Sequence, residues 1–174
     1  MNVKSKMQGM RNRENGALFE TMIDAACNAY YDMGEALIEK TPEPMRVLKP
    51  LGNGQYVAVF TKAAQPDYKG ILSNGTMVVF DAKYTESDRI AQSRVTQDQG
   101  ESLDGYQRMG AHAFVVCGFS SGKAYRIPWG VWQGMKELFG HKYVTEEDIA
   151  GFRVRSDTKI WFLNSVKKTK EGNI

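Results

Sequence analysis

Residues 66–83 have the sequence PDYKGILSNGTMVVFDAK and decide the fold, because two strand-like runs flank a turn. The first run extends from Asp67 to Leu72, and the second, from Met77 to Ala82, is almost entirely apolar. A continuous apolar strand is usually buried on both faces of a sheet. With Ser73-Asn74-Gly75 as the turn, the segment predicts a hairpin whose second strand lies inside a central sheet.

Charged side chains occur only at the end of the second strand. Since side chains alternate along a strand, Asp81 and Lys83 point to one face and Ala82 to the other. If Asp67 joins that face, two carboxylates can hold Mg²⁺ or Mn²⁺, which prefer oxygen ligands. A neighbouring lysine can orient a metal-bound water or stabilise a pentavalent phosphate, and this combination indicates phosphodiester hydrolysis.

The length of the loop decides whether the two carboxylates meet. A three-residue loop closed by Leu72 and Thr76 puts Gly75 at the left-handed bulge position and Asp67 directly opposite Asp81. A two-residue turn shifts the register by one residue and directs Asp67 to the opposite face. The hypothesis of a two-carboxylate site therefore requires the three-residue loop.

The sequence before this hairpin predicts one helix and a second hairpin. Apolar residues recur at helical spacing from Ala17 to Met33, and Gly34 is a plausible C-cap. Strand-like runs at residues 45–48 and 55–61 are joined by Gly52-Asn53-Gly54 and predict a projecting hairpin.

The sequence after residue 83 alternates between helical and strand patterns. It predicts a helix ending near Met109, a strand from Ala111 to Phe119, a helix around residues 129–138 and a late strand at residues 160–163. The predicted fold class is therefore α/β, with a mixed central sheet flanked by helices.

Length and composition indicate one globular domain. The 174 residues suffice for one substantial core, and 42% hydrophobic with 25% charged residues is an ordinary globular composition. The longest apolar runs are far shorter than the ~20 residues of a membrane span. Because the basic beginning lacks the apolar region of a signal peptide, we expect a cytoplasmic protein that does not enter a membrane.

The positive charge is concentrated at the two ends of the chain, although the net charge is only +3. We predict a flexible basic N-terminal arm at residues 1–15, a single folded domain at residues 16–165 and a basic C-terminal tail at residues 166–174. Such arms often neutralise phosphates, and solubilising termini are the equally good alternative. Arg11 and Arg13 are the candidate phosphate contacts in the arm.

Short motifs from Gly16 to Phe119 carry a family resemblance. In chain order they are Gly16 with Glu20, Asn28-x-Tyr30-Tyr31-x-x-Gly34-x-Ala36-x-Ile38-x-Lys40-x-Pro42-x-Pro44, Asp67-Tyr68-x-Gly70, Phe80-Asp81-Ala82-Lys83, Gln99 and Gly110-x-x-x-Phe114. Together these motifs resemble the RecU family of Holliday junction resolvases. The resemblance implies a restriction-endonuclease-like PD-(D/E)xK core and a homodimer that makes paired cuts in four-way junction DNA.

The resemblance also implies a role for each matching residue. It makes Lys83 the catalytic lysine and Gln99 a supporting active-site residue, and it assigns the Mg²⁺ or Mn²⁺ ligands to Asp67, Asp81, the backbone carbonyl of Ala82, and Glu20 as a further acid. By spacing alone, Glu20 is better interpreted as a solvated helix position, with Asp24 one turn further on. Spacing does not decide between an active-site and a surface position for Gln99.

The hairpin at about residues 45–61 resembles the family's stalk, a projection associated with the centre of the open junction. Lys49, and Lys62 at the base of this stalk, are candidate phosphate contacts. The sequence departs from the family pattern in four features: Asp81 in place of Glu, a one-residue longer interval from Asp67, Asp98 in place of His, and no basic cluster at the stalk turn.

Two other functions remain open at this point. The same core can belong to an endonuclease that cuts other DNA, because fold does not fix substrate. Alternatively, the protein binds junctions as an accessory factor without cleaving them. Intact carboxylates and Lys83 argue against that second alternative.

Overall fold

The computed structural model describes residues 3–42, 44–61 and 65–163. The chain order is α1 (Val3–Asp32), β1 (Ala36–Lys40), β2 (Met45–Gly52), β3 (Gln55–Phe60), β4 (Tyr68–Leu72), β5 (Met77–Thr85), β6 (Arg89–Ala91), α2 (Gln97–Arg108), β7 (His112–Phe119), β8 (Ala124–Pro128), α3 (Trp129–Gln133), α4 (Met135–Phe139), β9 (Tyr143–Thr145) and β10 (Arg153–Val154). Short 3-10 turns lie at Gln92–Arg94 and Ala150–Phe152.

Six strands form the central sheet in the order β1-β4-β5-β7-β8-β10. The β5–β7 pair is parallel and the other neighbours are antiparallel, so the predicted mixed sheet is confirmed. Apolar side chains from α1 pack with Phe80 and Phe114 on one face of the sheet. On the other face, Val79 and Val115 pack with apolar residues of α2, α3 and α4. The sheet is thus covered by helices on both sides, as in other α/β domains.

Helix α1 begins at Val3, well before the predicted start at Ala17. The basic arm predicted at residues 1–15 is therefore helical from Val3 onward, and its flexibility stays a prediction. The segment has no proline and is rich in Met, Gln, Lys, Arg and Glu, which favour helix without forming an apolar stripe. The end of the helix agrees with the prediction, because Gly34 adopts a left-handed conformation with φ 66°.

The β4–β5 hairpin has the three-residue loop that the site hypothesis requires. The backbone N–H of Leu72 donates to the carbonyl of Thr76 at 2.8 Å, and Ile71 is paired with Met77. Gly75 has φ 83°, the left-handed conformation that this loop needs and that glycine adopts without strain. Continuing this register by one residue beyond Tyr68 and Phe80 puts Asp67 opposite Asp81.

The predicted projecting hairpin is also confirmed and will be called the stalk, residues 45–60. Its two strands, β2 and β3, form a sheet of their own, and every residue of β2 is exposed. Asn53 and Gly54 have φ values of 50° and 75°, which suit a tight two-residue hairpin turn between Gly52 and Gln55.

The predicted late strand at residues 160–163 is wrong. Ile160 makes only an isolated bridge to Ser156, while Phe162 and Leu163 are buried in the core beneath α1. The apolar run therefore reflects burial and not strand pairing. The helix predicted around residues 129–138 is two short helices, α3 and α4, that meet at Gly134.

No helix in the described part of the chain is long and apolar enough to cross a membrane.

Candidate active site

Two adjacent strands bring the predicted carboxylates together. Asp67 precedes β4, and its backbone N–H donates to Oδ1 of Asp81 at 3.0 Å. In return, the backbone N–H of Ala82 donates to Oδ2 of Asp67 at 2.9 Å. These reciprocal hydrogen bonds fix the two side chains relative to each other, since each carboxylate is held by the backbone of the opposite strand.

Lys83 completes the cluster from the same face of β5. Its Nζ lies 3.5 Å from Oδ2 of Asp67 and 3.5 Å from Oδ2 of Asp81. The side chain of Asp81 is fully buried, that of Lys83 is 11% exposed and that of Asp67 is 33% exposed. Solvent therefore reaches the cluster at Asp67, and this is the side from which a ligand has access.

The environment of Asp81 fits a divalent cation. Burial raises the pKa of Asp81 to about 6, with Lys83 lowering it and Asp67 raising it. Oδ2 of Asp81 is buried and accepts no hydrogen bond among the described residues, although Lys83 lies near it. A buried, under-solvated carboxylate oxygen beside a second carboxylate is a donor set that Mg²⁺ or Mn²⁺ would satisfy.

The structure does not bring Glu20 into this cluster. Glu20 pairs with Lys40 at the end of β1, and both side chains are about half exposed. Within residues 3–42, 44–61 and 65–163, no three Asp, Glu, His or Cys side chains are close enough to hold a metal ion. The assignment of Glu20 as a metal ligand thus stays a prediction, and so does that of the Ala82 carbonyl.

Lys40 is a basic residue near the site that spacing alone did not single out. Its pKa is raised by the hydrogen bond to Glu20 and by the nearby charges of Asp24 and Asp67. Its backbone pairs with Tyr68, the residue that follows Asp67. The sequence signal for Lys40 is weak, because the alternation of buried and exposed residues in Ala36–Lys40 extends over only five residues.

Gln99 lies in the first turn of α2 and caps that helix. Its side-chain carbonyl accepts a hydrogen bond from the backbone N–H of Thr96 at 3.2 Å, and the Thr96 hydroxyl accepts one from the Gln99 N–H. This reciprocal pair is a capping box. Within the described part of the chain, the Gln99 side chain bonds to Thr96 and not to Asp81 or Lys83, so its catalytic role remains a prediction.

The structure describes the side chains of two of the four predicted DNA contacts. Arg13 is exposed on α1, and Lys49 is exposed on the stalk. Arg11 lies within α1, but its side chain is outside the described part of the structure, and Lys62 lies outside the described residues altogether. All four remain candidate phosphate contacts.

Fold and site together define a class of protein. A mixed sheet carries an aspartate that follows a proline, and the adjacent strand carries Asp-x-Lys directed to the same site. This is the arrangement of the PD-(D/E)xK, restriction-endonuclease-like fold.

The comparison with protein families identifies the group within this class. The family described as RecU, Recombination protein U, matches residues 14–166. This match covers most of the chain, and the protein therefore belongs to the RecU family.

Individual relatives agree with this family. The Holliday junction resolvase RecU of Oenococcus oeni is 32% identical over 130 residues, which are 71% of this chain and 66% of that protein. The protein with the same description from Streptococcus pneumoniae strain Hungary19A-6 is 30% identical over 131 residues, or 71% of this chain and 65% of that protein. The chain thus spans slightly less than two thirds of these relatives' length.

A solved structure shows a distant likeness. Hjc of Archaeoglobus fulgidus, a Holliday junction resolvase from an archaeal hyperthermophile, superposes with a TM-score of 0.45 and 15% identity. The likeness covers 76% of this chain and 89% of that chain.

Proposed function

We propose that this protein is a metal-dependent endodeoxyribonuclease that resolves four-way DNA junctions by paired hydrolytic cuts. The observation that carries the proposal is the Asp67, Asp81 and Lys83 cluster, in which two carboxylates and an ammonium group converge at a half-open site. Membership of the RecU family and the described activity of its relatives support the choice of junction DNA as substrate.

The residues of the site have distinct tasks in this proposal. Asp67 and Asp81 would hold Mg²⁺ or Mn²⁺, and the bound ion would supply activation of water and compensation of the negative charge of the phosphate. Lys83 lies within reach of both carboxylates, so its ammonium group is placed to stabilise charge that develops on the scissile phosphate. The backbone hydrogen bonds between the strands keep this geometry fixed before DNA binds.

We also propose that the active form is a homodimer. The stalk exposes Leu48, Leu51 and Tyr56, each more than half accessible. At the β1 edge of the sheet, Leu37 and Ile71 are paired across the strands and are both 48% exposed. Exposed apolar patches of this kind often mark protein interfaces, and a two-fold dimer presents two sites to a symmetric junction.

Cleavage of a labelled four-way junction and of a matched linear duplex tests the proposal. We expect nicks in two opposed strands of the junction with Mg²⁺ or Mn²⁺, and none with a chelator. Asp81→Asn removes one ligand charge and is expected to abolish nicking while junction binding persists. The matched control is Asp88→Asn, because the side chain of Asp88 is 74% exposed just beyond the same strand.

Two other results of this cleavage experiment would indicate a different function. Junction binding without nicks at any metal concentration identifies an accessory factor. Equal cutting of junction and duplex identifies an endonuclease that acts on DNA without selecting its structure.

A further inference from the structure

Glu86 lies on the loop that leaves β5, three residues after Lys83, and binds two side chains through one carboxylate oxygen. Oε1 accepts a hydrogen bond from the hydroxyl of Tyr84 at 2.7 Å and another from Nδ2 of Asn15 at 2.7 Å. Asn15 belongs to α1, far away in the sequence. The carboxylate therefore connects the long helix to the strand that carries the active site.

Tyr84, the residue after Lys83, is held from both sides of the sheet. Its ring packs against Phe19 of α1, with ring centroids 5.8 Å apart. Its backbone carbonyl accepts a hydrogen bond from the guanidinium of Arg94, in the turn before α2, at 3.3 Å. Glu86 accepts a hydrogen bond from the Tyr84 hydroxyl as a third contact, and it also binds Asn15. The end of the active-site strand and α1 are therefore fixed to one another.

The position of Asn15 along α1 gives this contact its importance. Among the described side chains of α1, Asn15 is the one nearest the beginning of the helix that forms a hydrogen bond to another element. The basic half of the helix, with Arg11 and Arg13, precedes it. Because a helix of about a dozen residues is marginal in water without tertiary contacts, a hydrogen bond at this position helps to hold the basic half that precedes it.

We propose that Glu86 is a positioning residue that holds the basic N-terminal half of α1 beside the active-site strand, so that Arg13 contacts the phosphate backbone of the DNA being cut. This inference rests on the proposed junction-cleaving function. It assigns to an acidic residue a role that raises affinity for DNA. The charge of a carboxylate near phosphates lowers DNA affinity by repulsion. Replacing Glu86 should therefore weaken DNA binding if its positioning role dominates, and strengthen binding if its charge dominates.

Four variants separate the two effects. Glu86→Ala removes both the charge and the acceptor, whereas Glu86→Gln removes the charge and keeps an oxygen that accepts both hydrogen bonds. Asn15→Ala breaks the contact from the helix side and leaves Glu86 in place. Glu147→Ala removes an exposed carboxylate elsewhere on the domain and is the control for charge.

Junction affinity at several salt concentrations is the main measurement, combined with nicking at saturating DNA. We expect Glu86→Ala and Asn15→Ala each to weaken junction binding about tenfold and to reduce the salt dependence by roughly one phosphate contact. Nicking at saturating DNA should stay within about threefold of the parent rate, as expected for lost ground-state binding. Glu86→Gln and Glu147→Ala should bind at least as tightly as the parent.

Amide hydrogen exchange at residues 13–19 provides a readout that does not depend on cleavage. Faster exchange there in Glu86→Ala and Asn15→Ala, with unchanged exchange in β7, supports the anchor. Parent-like affinity and exchange in both variants would overturn it. If the parent protein fails to nick junctions under any condition, the proposed function fails, while the binding and exchange measurements still judge the positioning role.

Discussion

Two antiparallel hairpins of this protein have similar turn sequences, Ser73-Asn74-Gly75 and Gly52-Asn53-Gly54, and very different surroundings. The β4–β5 hairpin turns through Gly75 and the stalk turns through Asn53-Gly54, all in left-handed conformations. The β5 strand is largely buried between two helical layers, whereas β2 is exposed along its whole length. Burial fixes one register and thereby the carboxylates, and exposure leaves the other hairpin available for contacts with partners. We infer that the protein separates chemistry from recognition in this way.

The largest expected effect tests the chemical half of this comparison. Lys83→Met removes the ammonium group that lies 3.5 Å from both carboxylates, and we expect nicking to fall by about 10³-fold. Binding of the junction should change little, because Lys83 is only 11% exposed. Single-turnover cleavage and an affinity titration measure the two quantities.

The control for this variant is Lys69→Met on the neighbouring strand, where the lysine pairs with Gln65 and not with the carboxylates. Cleavage by Lys83→Met within tenfold of the parent rate would show that the ammonium group is not part of the catalytic machinery.

The second test compares how the two hairpins tolerate an added methyl group. A Cβ at Gly70 would collide with the backbone carbonyl of Leu37 and lie 2.6 Å from Cα of Ile38. We expect Gly70→Ala to lower stability by about 2 kcal/mol, or roughly 4–8 °C in the melting temperature. Gly54→Ala strains only the stalk and should change the melting temperature by less than about 2 °C. Thermal melts of both variants check this difference, and equal losses would mean that the stalk is part of the cooperative core.

The extent to which the sequence predicts the site follows from the same comparison. The pairing of Asp67 with Asp81 was predictable because it depends on local rules, namely strand alternation and the loop that Gly75 permits. The pairing of Glu20 with Lys40 was not predictable, because it depends on how α1 crosses the sheet.

The same distinction between local and long-range effects applies to the strands of the fold. The apolar segments at Met77–Thr85 and His112–Phe119 were recognisable as strands, since they are long and nearly continuous. Short strands such as β6, β9 and β10 have only two or three residues and depend on their partners. The error at residues 160–163 has the related cause that burial alone does not specify a strand.

A third test addresses recognition by the stalk. Tyr56→Ser and Leu48→Ser remove exposed apolar groups, 60% and 53% accessible, that belong to neither core cluster of the described residues. We expect the free energy of unfolding to change by less than about 0.5 kcal/mol, so the melting temperature should remain almost unchanged. Junction affinity or dimer stability should fall about tenfold, as expected for loss of an interface residue.

Sedimentation and junction titration distinguish the two losses in these stalk variants. Met109→Ser, at an 84% exposed position on the main domain, is the matched control. Unchanged dimerisation and junction binding in both stalk variants would exclude the stalk's apolar face as a recognition surface.

The smallest expected effect determines how far the chemical region extends into α2. Gln99→Ala removes the capping box with Thr96 and should cost about 1 kcal/mol of stability. Gln99→Glu keeps a carbonyl-type oxygen at the same helix position, which is the usual acidic form of this motif, and should preserve stability. If Gln99 acts only as a cap, the glutamate variant cleaves junctions at the parent rate. If its amide also contacts DNA or water at the active site, cleavage falls while the melting temperature stays the same, and the catalytic region includes the first turn of α2.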